Sequence, residues 1–187
     1  YIKRLLPEKQ QREIQMEILD KHTDPLDLPL FLRPVENGVN VGIISEAGVP
    51  CVADPGAEIV SIAHRKGLTV KPLVGPSSIL LALMGSGFNG QQFTFRGYLP
   101  FDSAIRKRVF QAMNKDLKDG ITQIFMETPY RNNKLLEELL KVLHPETKLC
   151  IACDITLENE YIQTRTIADW ARNLPDLHKR PTIFLLD

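Results

Sequence analysis

The apolar and polar positions of this chain follow two periods in turn, that of a covered strand and that of an amphipathic helix. Residues 39–44 form a continuous apolar run rich in β-branched side chains, which predicts a parallel strand buried on both faces. An apolar stripe at helical spacing follows over residues 59–63, and residues 68–74 return to strand length. This order predicts a right-handed crossover between two parallel strands. Upstream, the alternation over residues 14–18 predicts a half-buried strand.

Capping residues and prolines mark where helices of the first half begin and end. Asp24-Pro25 and Asp54-Pro55 each place a carboxylate that can cap a helix before a proline at the first helical position. The first of these helices is predicted to end near Asn37-Gly38, because glycine favours the left-handed turn that closes a helix. Gly75-Pro76-Ser77 precedes a short helix through Met84 that is apolar all round, which predicts that this helix is buried.

The second half of the chain continues the alternation of strands and helices. The predicted strands are residues 93–96, 122–126, 148–154, 161–165 and 182–186, and the predicted helices are residues 106–113, 132–143 and 167–173. We therefore expect an α/β fold made of two α/β lobes, an N-terminal lobe over residues 1–92 and a C-terminal lobe over residues 93–187.

The composition is that of an ordinary globular protein, with 43% hydrophobic and 25% charged residues among 187. No run approaches the roughly 18 apolar residues of a membrane span, and no signal-peptide pattern opens the chain, so we expect a cytoplasmic protein with no membrane partner. The 23 basic residues equal the 23 acidic ones, so any contact with nucleic acid must depend on a local patch. Arg106-Lys107-Arg108 is such a patch, with a solvated helix face as the alternative.

The cysteines and carboxylates do not indicate a metal site. Cys150 and Cys153 have CxxC spacing, but they lie in a predicted strand, where positions i and i+3 face opposite sides of the sheet. No second cysteine pair is present to complete a zinc site. Asp154, Glu158 and Glu160 follow the same strand and are interpreted as exposed loop carboxylates, and the four histidines show no ligand spacing.

Three loops stand where ligands bind in open α/β sheets, beyond the carboxyl ends of predicted strands. They cover residues 45–56, 74–78 and 127–131. The first two combine glycine, which lets a ligand approach the backbone, with proline, which holds the loop rigid, and both lead into helix N-termini. The alternative is that they are well-capped connections without a ligand. In the third loop, the alternative is that Thr128 caps a helix and Arg131 is solvated.

Glycines at 85, 87 and 90 match the G-x-G-x-x-G fingerprint of dinucleotide-binding proteins. That motif requires a strand before it and a helix after it, whereas here a helix precedes it and a strand follows. We therefore reject dinucleotide binding.

Five motifs occur in one order along the chain: Ser45-Glu46-Ala47-Gly48-Val49-Pro50 with Asp54-Pro55-Gly56, Pro72-Leu73-Val74-Gly75-Pro76-Ser77-Ser78, Ser86-Gly87-Phe88, Gly97-Tyr98-Leu99-Pro100, and Glu127-Thr128-Pro129-Tyr130-Arg131. This series resembles the signature of the tetrapyrrole-methylase family. It is most similar to the branch that methylates a ribose 2′-hydroxyl in small-subunit ribosomal RNA. The similarity runs from about Val41 to the C-terminus.

The resemblance implies a homodimeric methyltransferase that binds S-adenosylmethionine, the methyl donor, in a cleft between two lobes, with no metal. By the same resemblance, the donor-binding residues are Ser45, Glu46, Ala47, Gly48, Val49, Ala53, Asp54, Pro55, Gly75, Pro76, Ser77, Ser78, Thr128 and Pro181. The basic residues Arg106, Lys107 and Arg108 correspond to a place where the RNA branch is basic. The alternatives are a methyltransferase acting on a tetrapyrrole, such as a precorrin or uroporphyrinogen, and a degenerate binding module without catalysis.

Two departures from the family pattern bear on the predicted active site. The family begins with a strand, a loop rich in glycine or proline and a short acidic element, and Tyr1 falls after all three, so the first lobe is expected to lack its first strand. Glu46 stands where the RNA branch has aspartate. A hydroxyl acceptor loses its proton near the transition state, and Glu46 and Asp54 are the candidate bases, with Asp54 more readily explained as a helix cap.

Overall fold

The structure is a computed structural model and describes residues 14–187. The chain divides into two compact units, Tyr1–Gly75 and Pro76–Asp187. The division lies earlier than residue 92 because the helix that follows Ser77 packs against the sheet of the second unit. The predicted fold class, α/β, is confirmed by a five-stranded sheet with helices on both faces.

The first unit is built around two short helices and a small apolar core. A 3-10 helix at Leu28–Leu32 leads directly into α1 (Arg33–Glu36), and α2 (Ala57–Arg65) packs against the 3-10 helix. Its fully buried apolar side chains are Leu28, Leu32, Ile59, Ile62 and Ala63. The predicted end near Asn37-Gly38 is confirmed, because Asn37 is the C-cap of α1 and Gly38 follows it with a φ of 79°. The predicted start at Asp24-Pro25 is wrong, because the 3-10 helix begins at Leu28 with Asp27 as its N-cap.

The three strands predicted for this unit, at residues 14–18, 39–44 and 68–74, are wrong. These segments form no strand within the described part of the unit. A strand exists only as part of a hydrogen-bonded ladder, and β-branched composition without a ladder leaves an extended, unpaired backbone. The apolar side chains of Ile44, Leu73 and Val74 are accordingly exposed rather than buried.

The second unit is built on one mixed sheet. Its strands are β1 (Phe93–Tyr98), β2 (Thr122–Met126), β3 (Lys148–Cys153), β4 (Tyr161–Thr166) and β5 (Thr182–Leu186), in the order β1-β2-β5-β3-β4. β1 and β2 are parallel, whereas β5 runs antiparallel to both β2 and β3, and β3 runs antiparallel to β4. Each predicted strand of this half is present, with its ends shifted by at most two residues.

Helices cover both faces of the sheet. α3 (Ser78–Ser86) packs on one face, and α4 (Ser103–Lys118), α5 (Asn132–Val142) and α6 (Ile167–Trp170) supply the apolar core of the other. The largest buried side chain is Trp170, whose indole N–H donates to the Leu149 carbonyl at 2.8 Å. The prediction that the helix after Ser77 is buried all round is wrong, because Leu80 and Met84 on α3 are exposed.

The sheet explains the two cysteines at CxxC spacing. Cys150 belongs to the core under α3, whereas Cys153 belongs to the core under α4, α5 and α6. The two sulfurs therefore lie on opposite faces, as the strand period predicts. Burial raises the pKa of both thiols. Among residues 14–187, no group of three His, Cys, Asp or Glu side chains is arranged to hold a metal ion.

Within residues 14–187, no helix is both long enough and apolar enough to cross a membrane.

Candidate active site

The loop after residue 44 is closed by one serine. The Ser45 hydroxyl accepts a hydrogen bond from the Ala47 N–H at 3.2 Å and donates to the Ala47 carbonyl at 2.9 Å. Gly48 follows with a φ of 75°, a conformation that a side chain rarely adopts. The result is a tight turn on which Glu46, Ala47 and Gly48 are exposed.

Residues 51–56 are coiled tightly, with three positive φ angles. Cys51 has a φ of 71°, Ala53 of 53° and Gly56 of 128°. A Cβ at Gly56 would lie 2.8 Å from the Cys51 sulfur, closer than real side chains approach one another. Non-glycine residues with positive φ are costly and persist where the surrounding structure holds them, often at ligand sites.

Asp54 does not cap a helix, which corrects the sequence interpretation. α2 begins at Ala57, its N-cap is Gly56, and no side chain bonds to its free N–H groups. The φ of 128° at Gly56 changes the direction of the backbone between Asp54 and the helix, so the Asp54 carboxylate makes no bond to the first turn. Asp54 is half-buried, and its negative charge adds to desolvation in raising the pKa of the Cys51 thiol.

The loop at residues 45–50 comes close to the end of the first unit. A Cβ built on Gly75 would lie 3.2 Å from a methyl carbon of Val49, which is tighter than ordinary van der Waals contact. Glycine at position 75 therefore lets the two predicted donor loops meet, with Gly75 itself exposed. Pro76, Ser77 and Ser78 belong to the second unit, where Ser77 is the N-cap of α3 with no capping bond from its side chain.

One edge of the second unit's sheet collects its polar loops. β5 pairs antiparallel with β2, with Met126 opposite Ile183, so the loop after β2 lies beside the segment before β5. Thr128 and Pro181, both predicted donor residues, are therefore at the same edge, and both are exposed. Thr128 makes no capping bond from its side chain, so its predicted alternative role as a helix cap is wrong.

Hydrogen bonds hold the segment before β5 at this edge. The Arg180 guanidinium donates to Asp154 at 2.7 Å, and the Asp154 N–H donates to the Pro181 carbonyl at 2.9 Å. The side chain of Asn132, fully buried, donates to the Arg180 carbonyl at 2.7 Å. Asp154 is thus buried in an ion pair, and the expectation that it is an exposed loop carboxylate is wrong, whereas Glu158 and Glu160 are exposed.

A buried glutamate anchors the loop after β2. One Glu127 oxygen accepts the Thr128 N–H at 2.8 Å, and the other lies 3.0 Å from a terminal nitrogen of Arg131. The second contact is an ion pair whose angles are not those of a hydrogen bond, so that oxygen has no hydrogen-bond partner among residues 14–187. Arg131 is therefore not simply solvated, because it neutralises a carboxylate that is 3% exposed.

Arg106 is also part of this buried cluster, which corrects its prediction as a surface RNA contact. Its guanidinium makes two contacts of 3.1 Å with the Glu138 carboxylate and lies 3.9 Å from Glu127. The helical period turns position 106 toward the sheet, while Lys107 and Arg108 remain exposed. A basic triplet in sequence therefore does not give a basic triplet on the surface.

Sequence patterns missed Asn132, Arg180 and Glu138 as structural residues of this site. No local signal identifies them, because each acts on a partner 26 to 48 residues away in the chain. The only contact of this cluster that the sequence suggests is the ion pair of Glu127 with Arg131, because these opposite charges stand four positions apart around a predicted turn.

Residues 3–171 match the family of Tetrapyrrole (Corrin/Porphyrin) Methylases. This match covers most of the chain and includes every predicted donor loop described above except the Pro181 segment. The chain belongs to this family.

Among the relatives of this chain are bacterial proteins named ribosomal RNA small subunit methyltransferase I. The protein of Leptospira borgpetersenii is 37% identical over 151 residues, covering 79% of this chain and 58% of the relative. That of Vibrio cholerae is 31% identical over 151 residues, covering 81% of this chain and 51% of the relative. The chain thus spans between half and three fifths of the length of these relatives.

A solved structure of the methyltransferase CobJ has a similar fold. It superposes with a TM-score of 0.60, covering 94% of this chain and 78% of that chain, at 16% sequence identity. The likeness supports the fold of the tetrapyrrole methylases.

Replacing Arg106 by alanine is expected to lower the free energy of unfolding by about 2 kcal/mol, because it leaves the half-buried Glu138 carboxylate without its cation and the buried Glu127 with Arg131 alone. Replacing Arg108, which is exposed, by alanine is expected to change it by less than about 0.5 kcal/mol. Urea denaturation of the two variants measures both values. Equal effects would contradict the burial of Arg106.

The Cys51 thiol is expected to react slowly with iodoacetamide at neutral pH and to gain reactivity only as the pH rises past its raised pKa, since the thiolate is the nucleophile. Desolvation is the larger cause and remains in any variant. Asp54→Asn removes the second cause, so alkylation at pH 8 should become faster. Peptide mapping by mass spectrometry measures the rate at Cys51, with Glu46→Gln as the control that leaves it unchanged. An unaltered rate in Asp54→Asn would contradict the coupling.

Proposed function

We propose that this chain is the S-adenosylmethionine-dependent methyltransferase portion of an enzyme that methylates a ribose 2′-hydroxyl in small-subunit ribosomal RNA. The observation that carries the proposal is the alignment of about four fifths of the chain with proteins named for methylation of that RNA. The approach of Val49 to Gly75 supports it, because two loops with donor-binding motifs then meet.

Two of the residues proposed to bind the donor leave their backbone open to a ligand. Gly48 and Gly75 are exposed and without side chains, so a ligand can approach the backbone there. Added side-chain volume at position 75 would fill the space beside Val49. In the second unit, Ser77, Ser78, Thr128 and Pro181 are proposed to contact the donor, and the hydroxyl of Thr128 is left available because it makes no capping bond.

The donor supplies an electrophilic methyl group on a sulfonium, so the residues of this chain act mainly by alignment. Positioning of the reacting groups contributes roughly 7–11 kcal/mol to such displacements. Loops stiffened by Pro50, Pro55 and Pro76 suit that task.

A ribose hydroxyl also requires a general base close to the acceptor oxygen. Asp54 and Glu46 are the proposed candidates. Asp54 is the preferred candidate, because it makes no capping bond to α2 and its carboxylate is free to accept a proton. Glu46 is exposed on the turn made by Ser45 and is the second candidate.

Contact with RNA is proposed for the exposed pair Lys107 and Arg108, since Arg106 is buried. Lys107 also lines an open groove of about 500 Å³ with Gln111, Asn114 and Glu138, and its ammonium and the two amides can bond to phosphate or sugar. We further propose that the protein works as a homodimer in the cytoplasm, as the family resemblance implies.

The direct test is transfer of a radiolabelled methyl group from S-adenosylmethionine. Small ribosomal subunits and uroporphyrinogen are offered in parallel, and label is expected in the RNA. Alkaline hydrolysis then locates the label. A methylated 2′-oxygen cannot attack the adjoining 3′-phosphodiester, so that bond survives in an alkali-resistant dinucleotide.

Gly75→Ala is expected to weaken binding of S-adenosylhomocysteine about tenfold in calorimetry, since misplaced loops lose alignment. Gly90→Ala is the control, because nothing lies near its added Cβ.

Three outcomes would contradict this proposal in different ways. Label in uroporphyrinogen would make the chain a tetrapyrrole methyltransferase. Label in an alkali-sensitive position would move the reaction from the ribose to a base. No heat with S-adenosylhomocysteine at high concentration would make the chain a binding module without its donor.

Lys107→Glu combined with Arg108→Glu is expected to reduce methyl transfer to ribosomal subunits at least tenfold while leaving donor binding unchanged, because two cations that meet phosphates are reversed. The matched control reverses two exposed lysines of α5, Lys134 and Lys141. Filter assays of transfer and calorimetry of the donor measure the two effects. Equal loss in both double variants would show only a general charge effect.

A further inference from the structure

Two exposed aromatic rings stand at the edge of the second unit's sheet, and neither has a role in the core. Phe101 is 79% exposed and Tyr130 is 70% exposed. Phe101 follows β1, and Tyr130 lies in the short 3-10 helix Pro129–Arg131 after β2. β1 and β2 are parallel neighbours, so both rings stand where the strands end. We call Phe101, Tyr130, Arg131, His178 and Lys179 the aromatic–basic surface.

A cationic side chain lies over the face of each ring. The guanidinium carbon of Arg131 lies 4.0 Å from the centre of the Phe101 ring, and the Lys179 ammonium lies 5.9 Å from the centre of the Tyr130 ring. His178 packs edge-on to Tyr130, with ring centres 5.9 Å apart. Lysine is depleted in the buried centre of protein–protein interfaces, whereas here both rings lie beside basic side chains, one of which is Lys179.

Backbone hydrogen bonds fix the surface in place. The Lys179 N–H donates to the Pro129 carbonyl at 3.0 Å, which ties the turn of Lys179 to the turn of Tyr130. Lys179 itself has a φ of 61°, a left-handed conformation that costs a side-chain-bearing residue energy. The side chain of Asn133 holds the same turn by accepting the Leu177 N–H at 2.8 Å.

The nearby carboxylates pair with Arg131 and lie beside His178, but they do not pair with Lys179. Glu127 is buried and is paired with Arg131. Asp176 accepts from the Asn133 side chain and the His178 N–H, which lower its pKa and keep it ionised. Among residues 14–187, no carboxylate lies within ion-pair distance of the Lys179 ammonium. Lys179 is thus available to a phosphate.

We propose that the aromatic–basic surface stacks unpaired bases of the RNA substrate on Phe101 and Tyr130, while Lys179 and His178 lie against the adjoining phosphates. The inference deepens the proposed function and rests on it, because it assigns the surface to the same substrate. Exposed rings accept any base by its face, and cations beside them meet the backbone, a combination typical of single-strand binding. It differs from the pair Lys107 and Arg108, which offers charge without a stacking partner.

The test measures binding of a fluorescein-labelled single-stranded RNA to the full chain by anisotropy. Phe101→Ala and Tyr130→Ala are each expected to weaken binding roughly 5- to 150-fold, while leaving the dependence of affinity on salt unchanged. Phe101→Trp and Tyr130→Trp should restore affinity, because a larger ring still stacks. Lys179→Gln should instead reduce the salt dependence by about one ion. Leu157→Ala, an exposed apolar side chain on the loop after β3, is the matched control.

The outcomes separate this inference from the proposed function. Alanine variants that bind single-stranded RNA as tightly as the parent chain would overturn the stacking surface, even if methyl transfer to RNA is observed. Equal affinity for a duplex of the same sequence would overturn it as well. Tyr130-dependent self-association of the purified chain without RNA binding would make the surface a protein interface and overturn it. Ring-dependent RNA binding without methyl transfer would support the surface while the proposed activity fails.

Discussion

The antiparallel pairing of β5 between β2 and β3 determines the layout of the second unit. A strand that runs against both neighbours brings its own beginning beside their ends. The polar loops after β2 and β3 and the segment before β5 are therefore collected at one edge of the sheet, although they are about 25 to 50 residues apart in the chain. Without this pairing, Arg180 could not reach Asp154 and Asn132 could not reach the Arg180 carbonyl.

Buried charge at that edge is balanced in pairs rather than avoided. Glu127 has Arg131 and Arg106 around it, and Asp154 has Arg180. Breaking a buried pair costs more than the pair contributes, because the remaining charge stays desolvated. These pairs therefore add little net stability, but they make alternative positions of the loops unfavourable. Such rigidity suits the alignment that we propose as the main task of this site.

Much of the fold could be predicted from the sequence, and the failures have physical causes. The strands of the second unit were predicted to within two residues because each has both a suitable period and a partner in the described chain. Residues 39–44 have the apolar, β-branched composition of a strand, but they form no hydrogen-bonded ladder with another segment of the described chain, and composition alone does not make a strand. The prediction that Asp54 caps a helix failed because the backbone φ of Gly56 cannot be predicted from the order of the residues.

The candidate site was predictable where it depends on local chemistry and not where it depends on long-range contacts. Glycine and proline in the loops at residues 45–56 and 74–78 identify them as candidates from their own sequence. The fate of Arg106 depended on Glu138 from another helix, and the exposure of Phe101 and Tyr130 depended on the ends of two strands. Side-chain burial is a property of tertiary packing, so a motif can identify a loop without saying which of its charges reaches solvent.

At Lys179, the left-handed backbone favours glycine for stability, whereas a positive charge at this surface requires the lysine. Glycine would adopt the same turn without the cost of roughly 1–2 kcal/mol that a side chain incurs there. Selection of variants for thermal stability alone would thus favour loss of the ammonium, whereas any selection that involves an anionic ligand would retain it. Position 179 is consequently a place where a heat-adapted variant can look improved in every unfolding experiment and still be impaired at its surface.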